Sequence, residues 1–171
     1  MMIRGLICVL GLLLSFGSCQ KKEEISSINP ENWSSRSTTL PVGDSLSPGS
    51  TYLSIYSQIY SQTEHKTHNL TAMASMRNTS DRDTIYLIAA KYYDTHGKLV
   101  RTYFEQPIYL APMETTEIII DEHDVSGGTG SNFIFEWRTP ANCPEPLFEG
   151  IMTSTMGQQG LSFTTIGKKI K

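Results

Sequence analysis

Three runs of this chain carry residue types that could do chemistry. The first is DVSGGTGSNF, residues 124–133, with glycines at 127, 128 and 130. Bare glycine backbone can wrap a phosphate, but such loops run into a helix whose first N–H groups face the anion, usually with a lysine nearby. Here the glycines lead into NFIFEW, a strand pattern, and no Lys or Arg stands between Arg101 and Arg138. The G-G-x-G spacing matches neither the dinucleotide nor the Walker pattern. A wide turn is expected instead, with positive φ at one of the glycines and with Asp124 and Ser126 bonding local amides. A second glycine-bounded run, MGQQG (156–160), is short enough to be a hairpin. Strand counting places both loops at one end of the domain. NFIFEW runs away from the first, a proline-rich loop (139–146) turns the chain, and LFEGIMTST returns it. Ser126, Asn132, Gln158 and Gln159 are therefore the candidate ligand-binding residues.

The second run is DEHD (121–124), with three carboxylates and one histidine. Calcium needs about six or more oxygens from a shaped loop, and this run lacks that signature. A zinc site would need His65 or His68, but HKTH spaces them i, i+3, which suits a helix and splits them across a strand or turn. Surface polar residues are the expected reading, so no metal and no cofactor is assigned. The third is Cys143 in TPANCPEPL, the one cysteine outside the N-terminal segment. It has no intramolecular disulfide partner there and reads as an inert loop thiol. No G-x-S-x-G elbow is present, and a carboxylate pair can be drawn from any 17 acids. No catalytic residue is assigned.

These residues need a scaffold, and the ends of the chain say where it sits. MMIRGLICVLGLLLSFGSC has one charge, Arg4, then an apolar run too short to span a bilayer comfortably. It ends in FGSC, which resembles a bacterial lipobox and makes Cys19 the expected lipid acceptor. Residues 1–19 then form a lipoprotein-type signal peptide. Residues 20–49 are rich in Ser, Asn, Pro and charge, and are expected to be a flexible tether that holds the domain roughly 30 Å from the lipid. The QKKEE behind Cys19 resembles the charged export tag of Bacteroidetes-type surface lipoproteins. Net charge is -3, so no basic excess exists to hold nucleic acid. The closing GKKIK reads as a solvated tail.

Residues 50–171 read as one domain of strands: TYLSIYSQIY, NLTAMASM, TIYLIAAKYY, LVRTYFEQ, IYLA, TTEIIID, NFIFEW, LFEGIMTST and LSFTTI. In NLTAMASM the alternation puts Leu70, Ala72, Ala74 and Met76 on one face. In NFIFEW it puts Phe133, Phe135 and Trp137 together, making Trp137 the expected core anchor. DTHGK (94–98) reads as a hairpin turn. No run shows sustained helical periodicity. The expected fold is all-β, an immunoglobulin-like antiparallel β-sandwich of about seven or eight strands.

The combination of MRNTS, KYYDTHGKLVRTY, YLAPMETTEIII, DVSGGTGSNFIFEW and TSTMGQQGLSF resembles the bacterial family called domain of unknown function three-one-two-four, over about residues 48–167. That resemblance implies a secreted or lipid-anchored envelope protein and brings no activity, cofactor or catalytic residue. The expectation is a bacterial envelope protein lipid-anchored to a membrane, with a periplasmic address and an outer-membrane, cell-surface address both left open. It would act as a non-catalytic binding or structural module toward an envelope protein or a glycan. The competing reading is a hydrolase or metal-dependent enzyme with its site between loops 124–132 and 157–160. A packed pair of loops favours the module; a compact Asp, His and Ser constellation favours the enzyme.

Overall fold

A computed structural model describes residues 24–28, 32–42, 45–158 and 160–171. Cys19 and Gln159 lie outside the described residues, as does the side chain of Gln158. The described chain is strands joined by turns, with three short 3-10 turns. Two antiparallel sheets bury their facing sides in one core. The larger has the order β12-β1-β9-β5-β6, formed by Lys168–Lys169, Leu46–Ser54, Asn132–Pro140, Ile85–Tyr93 and Leu99–Thr102; β7 (Ile108–Leu110) also pairs with β5. The smaller has the order β11-β10-β4-β8, formed by Leu161–Ile166, Leu147–Ser154, Thr71–Arg77 and Thr115–Ile120. A separate hairpin pairs β2 (Gln58–Ser61) with β3 (Thr63–Asn69).

The alternating residues do what their period demands. Leu70, Ala72, Ala74 and Met76 are fully buried from one sheet, as are Phe133 and Phe135 from the other. Phe135 of β9 stacks on Phe148 of β10 across the two sheets, with centroids 4.4 Å apart and planes 10° from parallel. Tyr92 stacks on Phe133 and Phe133 on Phe135, so a column of rings fills the centre. Trp137 is 2% exposed, and its Nε1 donates to Thr51 Oγ1 at 2.9 Å. Its ring lies over Gly49, where a Cβ would fall 2.2 Å from the indole.

The last strands join the sheets. β11 runs along β10, the chain passes Gly167, and β12 continues along β1 in the other sheet. The crossing is tight: a Cβ on Gly167 would lie 2.7 Å from Thr51 Cγ2 and 3.0 Å from Phe148 Cβ. Lys168 and Lys169, read from sequence as a solvated tail, are thus a strand. Among the described residues twelve strands occur rather than seven or eight. TYLSIYSQIY contributes to two of them, and the extra ones are short or polar.

Much of the segment expected to be a tether is docked, from Ser26 to Thr38, while Val42 is fully exposed. Ser27 is fully buried, and Ser26 donates its hydroxyl to Asp121 at 3.1 Å. Trp33 is 8% exposed and packs on Phe104, centroids 5.2 Å apart. Arg36 Nη1 meets Glu114 Oε1 at 2.6 Å, and Thr38 N donates to Pro107 O at 2.8 Å. The segment is a strap along the β6–β7 side. β1 begins at Leu46, so the ordered domain also starts before residue 50. A buried Trp and a buried Ser supply the apolar and polar contacts that composition alone did not credit to this stretch.

Candidate functional site

The loop after β8 begins with Asp121. Its carboxylate takes the His123 amide at 2.9 Å, has His123 Nδ1 at 3.0 Å, and also takes bonds from Ser26. The His123 amide contributes most to pulling its pKa down, and the Ser26 bonds add to it, leaving it at about 2. Asp124 sits deeper, 5% exposed. Its Oδ2 accepts from Ser27 Oγ at 2.5 Å and Arg101 Nη1 at 3.1 Å. Its Oδ1 accepts from the Ser126 hydroxyl at 2.5 Å and the Ser126 amide at 3.2 Å. Burial pushes the Asp124 carboxyl up, but Ser126, Ser27 and Arg101 together hold it below the ordinary carboxylate range. Arg101 also donates to Tyr103 Oη at 2.9 Å. Burial drives the Tyr103 phenol up to about 12, against the pull of that guanidinium. The Asp124 bond to the Ser126 amide is the local one that the sequence suggested, whereas the Ser126 hydroxyl bonds the Asp124 carboxylate and not an amide. Asp124 in addition carries a buried ion pair and the strap.

The glycine loop spends its polar backbone inward. Thr95, in the β5–β6 hairpin, donates both its amide (3.0 Å) and its hydroxyl (3.1 Å) to Gly127 O. Gly130 N donates to Thr95 Oγ1 at 2.9 Å. Ser57 Oγ and Gln58 N both donate to Gly128 O at 3.2 Å. Of the three glycines only Gly128 has positive φ, at 74°. Gly127 is required for space, since a Cβ there would lie 1.8 Å from Tyr92 Oη. This is turn chemistry, with the anion-facing amide row of a phosphate loop replaced by bonds to neighbours.

Both glycine loops lie at one end of the sheets. Asn132 pairs with Ser54 at the end of β1, Ile55 N donates to Ser131 O, Ser57 O accepts from Leu70 N, and Thr71 pairs with Thr153 of β10. Segment Ile55–Gln58 therefore stands between the loops. Ser126 is turned onto Asp124. Asn132 faces outward from the large sheet, between Ser54 and Tyr93 in register. Gln158 closes a 3-10 turn, Met156–Gln158. His65 and His68 both fall on β3, whose alternation points them to opposite sides. Among the described residues no three His, Cys, Asp or Glu side chains are grouped to hold a metal.

A groove that the sequence did not suggest lies on the outer face of the large sheet. It has a volume of about 480 Å³ and is lined by Pro48, Gly49, Ser50, Ile88, Glu136, Trp137, Arg138 and Lys171. The register breaks between Leu87 and Ala89, and this bulge sets Ile88 beside the groove. Glu136 is engaged by Lys91 Nζ at 2.7 Å. Among the described residues no carboxylate pairs with Arg138. In register, Arg138 neighbours Pro48 on one side and Tyr86 on the other, and Tyr86 neighbours the exposed Tyr109. A row of proline, guanidinium and two phenols thus crosses the face. The only sequence signal for it was the abundance of tyrosine.

A family model described as Protein of unknown function (DUF3124) matches residues 49–170. Among solved structures, one from Thermotoga maritima, "Crystal Structure of Thermotoga maritima 1070", is 13% identical with a TM-score of 0.43, covering 70% of this chain and 92% of that one. No match was found among curated proteins.

Proposed function

Because the chain belongs to the family described as Protein of unknown function (DUF3124), its role is read from its own geometry, and we propose a lipid-anchored envelope protein whose domain is a non-catalytic binding module. Its two facing antiparallel sheets support an immunoglobulin-like sandwich as the scaffold. The observation that carries the binding role is the outer-face groove with Arg138, which meets no carboxylate among the described residues. A planar guanidinium recognises a carboxylate through two parallel bonds, and tyrosine rings beside it offer apolar faces to sugar rings. The partner is an acidic envelope glycan laid along the Pro48–Arg138–Tyr86–Tyr109 row. The polar groups of the glycine loop support the same division of labour, since they hold the fold and leave recognition to the sheet.

Two measurements test this. Co-sedimentation with a polyuronate should retain the wild-type domain and lose Arg138→Glu, while a neutral glucan retains neither. Equal retention of both proteins on the polyuronate would refute the Arg138 site. Separately, Cys19→Ala should release the protein from the membrane fraction. A mutant that fractionates as wild type and carries no less lipid would refute the anchor.

A further inference from the structure

The strap fixes which end of the domain meets the membrane. It enters the described structure at Glu24 and docks at once: Ser26 on Asp121, Ser27 on Asp124, in the loop between β8 and β9. It then passes Phe104 and Pro107 toward the opposite end, where β1 begins at Leu46 against Pro140. Five residue steps separate Glu24 from Cys19. A fully extended chain covers at most about 18 Å in five steps. With the lipid at Cys19, a premise taken from the proposed anchor, we infer that the end of the domain carrying the 121–131 loop, the β2–β3 hairpin and the turn after β10 faces the bilayer that holds the chain.

The surface of that end fits the assignment. Ile28, Tyr60, Leu99, Val125, Met156 and Leu161 are all exposed there. Each comes from a different piece of chain: the strap, β2, the start of β6, the 121–131 loop, the turn after β10 and the start of β11. Scattered exposed apolar residues are ordinary, but several convergent on one end mark a contact surface. Leu99 is level with Tyr93 and Asn132, and Leu161 with Ser154, so both stand at the terminal register of their sheets. The opposite end is formed by the turn after β4 and the loop between β9 and β10. It lies a nine-residue strand away, about 26 Å. The consequence is that the two glycine loops face lipid, while the Arg138 groove lies on the outer face of the large sheet, nearer the far end.

The test uses the full lipidated chain in vesicles with an energy acceptor on the lipid headgroups. Donor dyes are placed at Val125→Cys or Asn142→Cys, each in a Cys143→Ser background. The Val125 donor should transfer at least threefold more efficiently than the Asn142 donor. Equal or reversed transfer in protein that floats with the vesicles overturns the orientation and leaves the anchor standing. Protein that carries no lipid and does not float overturns the anchor, and the orientation with it. Ten Gly/Ser residues inserted between Glu23 and Glu24 lengthen the leash without touching a docked residue, so the difference between sites should shrink. An undiminished difference overturns the leash-length argument.

Discussion

Ser27 Oγ donates to Asp124 Oδ2 at 2.5 Å, joining residues 97 positions apart in sequence. The same oxygen takes Arg101, so one carboxylate ties the strap to the large sheet. Removing the carboxylate strands a guanidinium whose side chain is 19% exposed. Asp124→Ala should cost about 3–5 kcal/mol, the range for breaking a buried pair from one side. Ser27→Ala deletes a bond to a charged group and should cost about 1.5–3 kcal/mol. Urea melts of the two variants should rank them in that order; the reverse ranking would mean that the ion pair is not what Asp124 supplies.

Acid should loosen the strap. Asp121 is held at about 2, first by the His123 amide and also by Ser26, and Asp124 is depressed by Ser126, Ser27 and Arg101 despite its burial. An ordinary aspartate titrates near about 3.9 in the unfolded chain. A depressed folded pKa means the unfolded state binds protons first, so these groups stabilise fully above about pH 4 and lose that contribution as pH falls toward 2. Stability measured from pH 5 to pH 2 should drop, and Asp121→Asn should flatten part of the drop. An unchanged slope in that variant would remove Asp121 from the account.

The alternating strands were legible because period two needs only local sequence: Leu70 to Met76 and Phe133 to Trp137 announce their buried faces. The turns were legible where a side chain bonds nearby, as when Asp94 Oδ1 takes the His96 and Lys98 amides, both at 2.9 Å. The strap was not legible. Its contacts span 69 or more residues and its 3-10 turns are too short for a period. Trp33, a large aromatic in a polar stretch, was the signal that could have found it. β3 was missed because its residues are polar and exposed along most of its length, so nothing alternates. Of the four candidate ligand residues, Ser126 was legible as a loop residue whose amide Asp124 takes, but the turn of its hydroxyl onto the Asp124 carboxylate was not. The Arg138 groove depends on three strands meeting and on a bulge, which no single run encodes.

Two glycines in similar-looking runs should respond differently to alanine. At Gly127 a Cβ would meet Tyr92 Oη at 1.8 Å and Ser131 Oγ at 2.7 Å. Both partners are buried, and Ser131 Oγ is already bonded to Ile55 O at 2.6 Å, so neither yields freely. Gly157 has φ of 69° but nothing within 4 Å of a Cβ. Its alanine variant meets only left-handed strain, about 1–2 kcal/mol. Gly127→Ala should cost more, about 1–3 kcal/mol from overpacking together with a displaced hydrogen bond. Thermal melts of the pair decide it: equal losses would show that the Tyr92 contact relaxes without penalty.

The strongest check on the core is the coupling between Trp137 and Gly49. They are directly paired across β9 and β1, and the indole occupies the space a Gly49 side chain would take. Trp137→Ala should cost about 3–5 kcal/mol, as large aromatic truncations do, and it also strands the Thr51 hydroxyl that accepts from the indole N–H. Gly49→Ala alone should destabilise, because its methyl would fall 2.2 Å from the ring of a residue only 2% exposed. In the Trp137→Ala background that ring is gone and the methyl enters the vacated space. Gly49→Ala should there be neutral or stabilising, giving a coupling of about 1–3 kcal/mol in a double-mutant cycle. Additive losses would place the indole elsewhere than over Gly49, and with it the anchor of the large sheet.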